Sequence, residues 1–153
     1  MKYFIITLSV ALLLIGSSCN SAKSAKKPSK RYIGKVYFEA GNFDDVLAKA
    51  EAQGKPIFVD FYATWCGPCK QMEKYAFNES ALANYLNENY LNYRVDGETR
   101  EGAAIQIAYE CNAYPTILYL DSQGQLIDKE TGYRQGQELL RTAKRVKGQF
   151  QSL

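Results

Sequence analysis

Two cysteines separated by two residues are the clearest chemical feature of this sequence. They are Cys66 and Cys69, with Gly67 and Pro68 between them, in the stretch DFYATWCGPCKQM. A disulfide between them closes too small a loop to stabilise the fold much by constraining the unfolded chain. A structural zinc site usually has four Cys or His ligands. This chain has no histidine, and because Cys19 lies on the N-terminal tether, only Cys111 remains as a third cysteine. We therefore favour redox chemistry at this pair and expect neither a metal ion nor a cofactor.

The residues around the pair predict that it lies where a strand gives way to a helix. The preceding run PIFVDFYA is almost continuously apolar, which is typical of a strand buried on both faces. Pro68 fits the first turn of a helix, where its missing N–H is not needed, and Gly67 leaves the approach to the sulfur open. The free N–H groups and the dipole of a helix N-terminus stabilise a thiolate and lower its pKa. This placement predicts a reactive Cys66.

The elements that must position the pair alternate between strand and helix patterns from Tyr32 onward. Such alternation, ending in a hairpin and a last helix, predicts an α/β fold with a mixed sheet covered by helices on both faces. Asn42 and Asn78 are predicted helix N-caps, and DSQG is the predicted hairpin turn. The predicted strands are YIGKVYF, PIFVDFYA, LNYRV, PTILYL and QLIDKETGY, and the predicted helices follow Asn42, Cys66, Asn78, Thr99 and the hairpin.

Residues 1–18 have the pattern of a secretory signal peptide. Lys2 precedes an apolar run over residues 3–15, which is shorter than the roughly 20 residues of a membrane-spanning helix and is followed by small residues. The end of this segment, IGSSC, resembles a bacterial lipoprotein signal, in which Cys19 would be lipidated. That signal usually has Leu where Gly16 stands, so plain cleavage near residue 18 is the alternative. We expect an exported protein of the periplasm or cell envelope.

Residues 19–31 read as a flexible tether because they are rich in Ser, Ala and Lys and lack apolar periodicity. Lipid at Cys19 would attach the following domain, residues 32–153, to a membrane. The first 31 residues also carry six of the basic side chains, which leaves 13 basic and 16 acidic residues in the domain. A nucleic-acid-binding fold normally carries a basic patch, so we expect no nucleic-acid partner.

The segment VDFYATWCGPCK closely resembles the active-site segment of thioredoxins. Tyr114, Pro115 and Thr116 resemble the family's second signature, which contains a cis-proline that faces the disulfide. Asp60 stands six residues before Cys66 and matches the family's buried acid, and Gly132 is matched to a glycine of the substrate groove. The resemblance covers the chain from about residue 32 to the C-terminus and implies a thioredoxin fold.

The resemblance also implies a role for each matched residue. Cys66 would attack a substrate disulfide, and Cys69 would resolve the mixed disulfide that results. Asp60 would accept a proton from Cys69 through water. Trp65 would pack against the site. Pro115 would present its backbone to an extended substrate segment and keep metals off the thiols.

Two features depart from the small cytosolic thioredoxins. The lysine that usually partners the buried acid corresponds, by counting back from Asp96, to Asn92. The stretch over residues 72–96 is also longer, which makes the chain similar to exported thioredoxin-like proteins and to the C-terminal domain of the transmembrane thiol-disulfide interchange reductase. We interpret Cys111 as a small buried hydrophobic residue.

The function that the resemblance implies is reduction or exchange of protein disulfides, with a membrane-bound electron donor as the second partner. The Gly-Pro dipeptide resembles that of reducing members, but relatives with this cysteine spacing span potentials from about −270 to about −120 mV. A disulfide oxidase or isomerase with the same site is therefore the first alternative. A binding module that holds proteins in its groove without redox chemistry is the second, and the intact cysteine pair argues against it.

Overall fold

The computed structural model describes residues 34–152. Among these residues no helix is long and apolar enough to cross a membrane. The strands are β1 (Ile57–Tyr62), β2 (Leu91–Asp96), β3 (Thr116–Leu120) and β4 (Leu126–Thr131). The α-helices are α1 (Phe43–Gln53), α2 (Gly67–Lys74), α3 (Ser80–Asn89), α4 (Arg100–Tyr109) and α5 (Gly136–Phe150).

The four strands form one mixed sheet in the order β2-β1-β3-β4. The central strand β1 runs parallel to β2 and antiparallel to β3, and β3 pairs with β4 as a hairpin. In the turn of the hairpin, the N–H groups of Gln123 and Gln125 each donate to Asp121 Oδ1 at 2.8 Å. The predicted mixed sheet and its C-terminal hairpin are therefore confirmed.

Helices cover both faces of the sheet because the side chains of β1 alternate between two apolar layers. Phe58 packs with residues of α2, α3 and α5 on one face. Ile57, Val59 and Phe61 pack with residues of α1 and α4 on the other. Asp60 shares the face of Phe58 by the same alternation, so a carboxyl group is directed into the layer beneath α2.

The predicted N-caps, Asn42 and Asn78, precede α1 and α3. At α1 the prediction is confirmed: the Asp45 N–H donates to Asn42 Oδ1 at 2.9 Å, which closes a capping box. At α3 it is wrong, because the residue before the helix is Glu79. The Asn78 side chain instead donates to the carbonyls of Glu73 and Lys74, at 3.2 and 2.9 Å, and satisfies the last turn of α2.

The predicted first strand, YIGKVYF, is wrong over its described part. Residues 35–40 form no strand ladder, and side-chain amides bind their backbone instead. Asn87 accepts from the Tyr37 N–H at 2.8 Å and donates to the carbonyl of Lys35 at 2.9 Å. Asn92 donates to the carbonyl of Tyr37 at 3.0 Å. These amides hold the segment beside β2, a detail that the alternation of apolar residues does not reveal.

Candidate active site

The Cys66–Cys69 pair forms a disulfide at the N-terminus of α2, with an S–S distance of 2.07 Å. Cys66 is the N-cap, and the Cys69 N–H donates to Cys66 Sγ at 3.1 Å. Cys66 is 4% exposed and Cys69 1%. Nothing lies within 4 Å of the place where a Cβ on Gly67 would stand, so the approach to the disulfide is open on that side. The strand-to-helix placement matches the sequence prediction.

An open groove of about 430 Å³ runs past the disulfide. One wall is the active-site turn, and the other is formed by α4 and the loop that follows it. The lining residues are Trp65, Cys66, Gly67 and Pro68 on the first wall and Gln106, Cys111, Asn112, Ala113 and Tyr114 on the second. A substrate segment that reaches Cys66 therefore has to pass between Trp65 and the α4 side.

The loop before β3 brings the second sequence signature to this groove. The Tyr114–Pro115 peptide bond is cis. The Gly132 N–H donates to the Pro115 carbonyl at 2.8 Å, and Gly132 has a φ of 87°, a left-handed conformation that favours glycine. The structure thus places the two residues matched at the sequence level side by side at the ends of β3 and β4.

Tyr114 forms the centre of an aromatic stack beside the cysteines. Its ring stacks on Phe61 at a centroid distance of 5.0 Å and meets the Trp65 ring edge-on at 5.7 Å. Its hydroxyl donates to Glu98 Oε1 at 3.0 Å. Burial, followed by this bond, raises the pKa of Tyr114 to about 12, so the hydroxyl stays a donor. Trp65 remains 67% exposed and forms the outer rim of the groove.

Asp60 lies on β1 and is 1% exposed. Burial raises the pKa of Asp60 to about 7, and the charge of Arg94 opposes that rise. Arg94 Nε stands 2.9 Å from Asp60 Oδ2, so the two side chains form an ion pair. Arg94 lowers the pKa of Asp60, but desolvation by burial is the larger effect. Such an acid can exchange a proton near neutral pH.

The expectation that Asn92 replaces the basic partner of Asp60 is wrong. In the sheet register Asp60 pairs with Arg94, whereas Asn92 pairs with Phe58. Asn92 and Arg94 lie two residues apart on one strand and share a face, so counting along the sequence does not choose between them. The register of β1 and β2 decides between them and places Arg94 beside Asp60.

Arg94 also joins Asp60 to two residues that sequence reasoning missed. Its Nη1 stands 3.0 Å from Glu73 Oε2 on α2, and its guanidinium lies 4.0 Å from the centre of the Tyr62 ring. Glu73 and Tyr62 therefore hold the guanidinium in place over the buried acid. The signal in the sequence was weak, because charged residues on a short helix usually face solvent.

Cys111 is 1% exposed and packs in the apolar layer beneath α1 and α4, as the sequence interpretation has it. Burial raises the pKa of its thiol, and the charge of Lys129 opposes that rise. It is the only free cysteine among the described residues. Cys19 and the segments 1–18 and 19–31 lie outside those residues.

Comparison with known proteins places this geometry in a family. The family model described as a thioredoxin-like domain matches residues 43–147. The thiol:disulfide interchange protein DsbD of Pseudoalteromonas atlantica is 31% identical over 136 residues, which are 87% of this chain and 23% of that protein. DsbD of Salmonella typhi is 36% identical over 101 residues, 64% of this chain and 18% of that protein. The chain thus spans less than a quarter of the length of these relatives.

Solved structures agree with the family model. A solution structure of a proposed disulphide-isomerase from Bacteroides thetaiotaomicron is 35% identical, with a TM-score of 0.66 over 74% of this chain and 94% of that one. A thioredoxin from Thermus thermophilus, 21% identical, gives a TM-score of 0.64 over 74% of this chain and 88% of that one, and so shows the shared fold. The expected thioredoxin fold is confirmed, and the chain belongs to the thioredoxin-like family.

Proposed function

We propose that this protein is a thiol-disulfide oxidoreductase of the bacterial cell envelope that reduces or exchanges protein disulfides. The observation that carries the proposal is the Cys66–Cys69 disulfide at the N-terminus of α2, beside an open groove. The family and the similarity to thiol:disulfide interchange proteins support the same chemistry. Protein disulfides are the proposed substrates.

The proposed reaction starts from the reduced pair. The Cys66 thiolate attacks one sulfur of a substrate disulfide, and the other substrate sulfur leaves as a thiolate and takes up a proton. The Cys69 thiolate then attacks Cys66 Sγ, forms the internal disulfide and releases the second substrate thiol. Two electrons and two protons pass from the dithiol to the substrate. The Cys69 N–H, which donates to Cys66 Sγ at 3.1 Å, is placed to stabilise the Cys66 thiolate.

Asp60 is the proposed proton acceptor for Cys69. Cys69 lies in the first turn of α2, and Asp60 lies on β1 on the sheet face that α2 covers. A carboxyl group with a pKa of about 7 can accept a proton near neutral pH. Trp65 and Pro115 are the proposed substrate-contacting residues, since Trp65 forms one rim of the groove and the cis peptide that ends in Pro115 lies on the other side.

Export is part of the proposal and is supported by sequence alone. Residues 1–18 have the signal-peptide pattern, residues 19–31 the tether pattern, and Cys19 is the proposed lipidation site. A reductant outside the cytoplasm needs electrons delivered across the membrane, so a membrane-bound donor is the proposed second partner. Mass spectrometry of the N-terminus of the native protein should find a lipid on Cys19, and an unmodified N-terminus near residue 19 would mean plain cleavage.

The experiment that tests the exchange mechanism separates the two cysteines. In the Cys69→Ser variant, Cys66 should stay bound to its substrates as mixed disulfides that a reductant releases. The matched Cys66→Ser variant should trap none, because Cys69 is buried. If Cys69→Ser traps nothing in the envelope, the mechanism is wrong. If Cys66→Ser loses exchange but leaves partner binding and phenotype unchanged, the protein is a binding module.

A second direction of exchange is favoured by one observation. The Bacteroides structure that is 35% identical is described as a proposed disulphide-isomerase. An isomerase would start with the same attack by Cys66, whereas in a disulfide donor a substrate thiolate would attack Cys66 Sγ of the oxidised pair and Cys69 would leave as the thiolate. Both would hold the pair at a higher potential. The reduction potential of the pair distinguishes these directions.

A further inference from the structure

Four lysines come from segments that pack on the C-terminal half of α3. Lys55 Nζ donates to the Glu88 carbonyl at 2.9 Å, and Lys144 Nζ lies 5.7 Å from the centre of the Tyr85 ring. Burial lowers the pKa of Lys147, and the nearby charge of Lys55 lowers it further. We call these four residues the basic cluster, which consists of Lys35, Lys55, Lys144 and Lys147.

The basic cluster is a local excess of positive charge. Among the described residues none of its lysines forms an ion pair, whereas Lys49, Arg94 and Arg145 each pair with a carboxylate. Glu88 supplies one exposed carboxylate on α3. Residues 32–153 carry 13 basic and 16 acidic side chains, so the excess does not follow from the composition of the domain. Gathered like charges destabilise a fold, and an anion bound beside them removes that repulsion.

The basic cluster lies at the end of the sheet opposite the disulfide. Lys55 stands two residues before β1 and Cys66 four residues after it, so the length of β1 separates them by about 20 Å. The start of β2 pairs with the start of β1, which places the C-terminus of α3 at the same end. The Tyr90 hydroxyl, just before β2, donates to the Ala143 carbonyl at 2.6 Å. The second half of α5 is therefore at that end too.

The tether joins the domain at the basic cluster. Lys35 is the second described residue, and its carbonyl accepts from Asn87 on the C-terminal half of α3 at 2.9 Å. Residues 20–34 carry five more basic side chains. The chain from Cys19 to Lys35 spans at most about 55 Å, so a lipid on Cys19 keeps the cluster within that distance of a membrane. A short tether raises the effective concentration of the membrane surface and makes a weak contact sufficient.

We propose that the basic cluster is a docking surface for the anionic lipid headgroups of the membrane to which the chain is anchored. The inference rests on the proposed anchor at Cys19 and not on the exchange reaction. Docking at this end holds the disulfide on the side of the domain that faces away from the bilayer, where protein substrates reach it. A membrane-bound electron donor then has to extend beyond the lipid surface to reach Cys66.

The test measures how strongly the oxidised chain that begins at residue 20 sediments with lipid vesicles. This chain keeps the tether and every described residue but carries no lipid. Vesicles of equal parts phosphatidylglycerol and phosphatidylcholine are anionic, and vesicles of phosphatidylcholine alone are neutral. The double variant Lys144→Gln/Lys147→Gln removes two charges from the basic cluster. The matched control is Lys70→Gln/Lys74→Gln, because these lysines are exposed on α2, the helix that begins beside the disulfide.

Each lysine near an anionic lipid surface strengthens binding about fivefold, so the variant of the basic cluster should bind the anionic vesicles at least about tenfold more weakly and the α2 control within about twofold of the unaltered chain. The neutral vesicles should bind none of the three chains. Equal weakening by the two double variants, equal binding of all three chains, equal binding to neutral vesicles or no binding at all would each overturn the docking surface.

Acetylation of the lysines, measured by mass spectrometry, tests the orientation. The anionic vesicles should slow the acetylation of Lys144 and Lys147 and leave that of Lys70 and Lys74 unchanged. Equal protection of both pairs, or protection of the α2 pair alone, would overturn the docking surface. Failure of the exchange mechanism is detected separately, because the trapping experiment with Cys69→Ser uses no vesicles and the vesicle experiment uses no thiol exchange.

Discussion

At the scale of single residues, the unusual group is Asp60. It lies buried on β1, on the sheet face that α2 covers, and Arg94 Nε places positive charge 2.9 Å from its Oδ2. Desolvation outweighs that charge, so the pKa stands near neutrality instead of below its ordinary value. Glu73 Oε2 stands 3.0 Å from Arg94 Nη1, so Arg94 is shared between two carboxyl groups. The same feature that suits Asp60 to proton exchange makes it destabilising whenever it is ionised.

Asp60→Asn should therefore change how stability depends on pH. The pKa of Asp60 is about 7 in the folded protein and 3.8 in the unfolded chain, so the folded state binds the extra proton between these values. The free energy of unfolding of the oxidised protein should fall as pH rises from about 4 to about 8, by at most about 4 kcal/mol. Denaturant unfolding of Asp60→Asn should show this dependence largely removed.

Glu51→Gln, an exposed carboxyl group on α1, is the control for that experiment and should retain the fall in stability. A wild-type profile that is flat from pH 4 to pH 8 would mean that the folded-state pKa of Asp60 is not raised.

At the scale of elements, the loop between β2 and α4 fixes the aromatic stack at the site. A Cβ on Gly97 would stand 2.2 Å from the Tyr114 hydroxyl oxygen and 2.6 Å from the end of the Phe61 ring. Only glycine lets the loop approach Tyr114 closely enough for Glu98, the next residue, to bind its hydroxyl at 3.0 Å. The loop, the stack and Trp65 therefore form one packed unit.

Gly97→Ala should destabilise the protein by about 1–3 kcal/mol, because the methyl group displaces Tyr114 from Phe61. Thermal or denaturant unfolding measures the loss, and the Trp65 fluorescence should shift with it. Gly67→Ala is the matched control: its methyl group meets open space, so it should be neutral or stabilising by up to about 1 kcal/mol. Equal effects at the two glycines would contradict this account of the loop.

The elements also show how far sequence reasoning reached. Apolar runs and turn residues gave the sheet, its hairpin and the strand-to-helix position of Cys66, since these depend on local pattern and spacing. Three features of the structure were not predicted from the sequence, and the reason is the same for each. The amides that hold residues 35–40, the real partner of Asp60 and the role of Asn78 all depend on which residues meet across elements. Strand register and the packing of elements determine those contacts, and a local sequence pattern predicts neither.

At the scale of the whole molecule, the domain is closed by its N-terminal segment. Val36 is 2% exposed and belongs to the core layer of α2, α3 and α5. Asn87 accepts from the Tyr37 N–H and donates to the Lys35 carbonyl, and Asn92 donates to the Tyr37 carbonyl. We therefore expect residues 34–41 to be part of the stable unit.

A chain that begins at residue 34 keeps every contact that the described residues make with one another and serves as the reference. A chain that begins at residue 42 should lose about 2–4 kcal/mol, since it leaves a cavity at Val36 and unpaired amides at Asn87 and Asn92. Urea unfolding of the two chains measures the difference. Equal stability would show that residues 34–41 are not part of the folding unit.

The proposed function depends on the direction in which the Cys66–Cys69 pair exchanges electrons. Its reduction potential, measured on a chain that starts after Cys19 and is equilibrated in defined thiol buffers, tests that direction most directly. We predict a value close to about −270 mV, the thioredoxin end of the range, which makes the protein an envelope reductant that needs a membrane electron donor. A value close to about −120 mV would contradict this and make the protein a disulfide donor or isomerase.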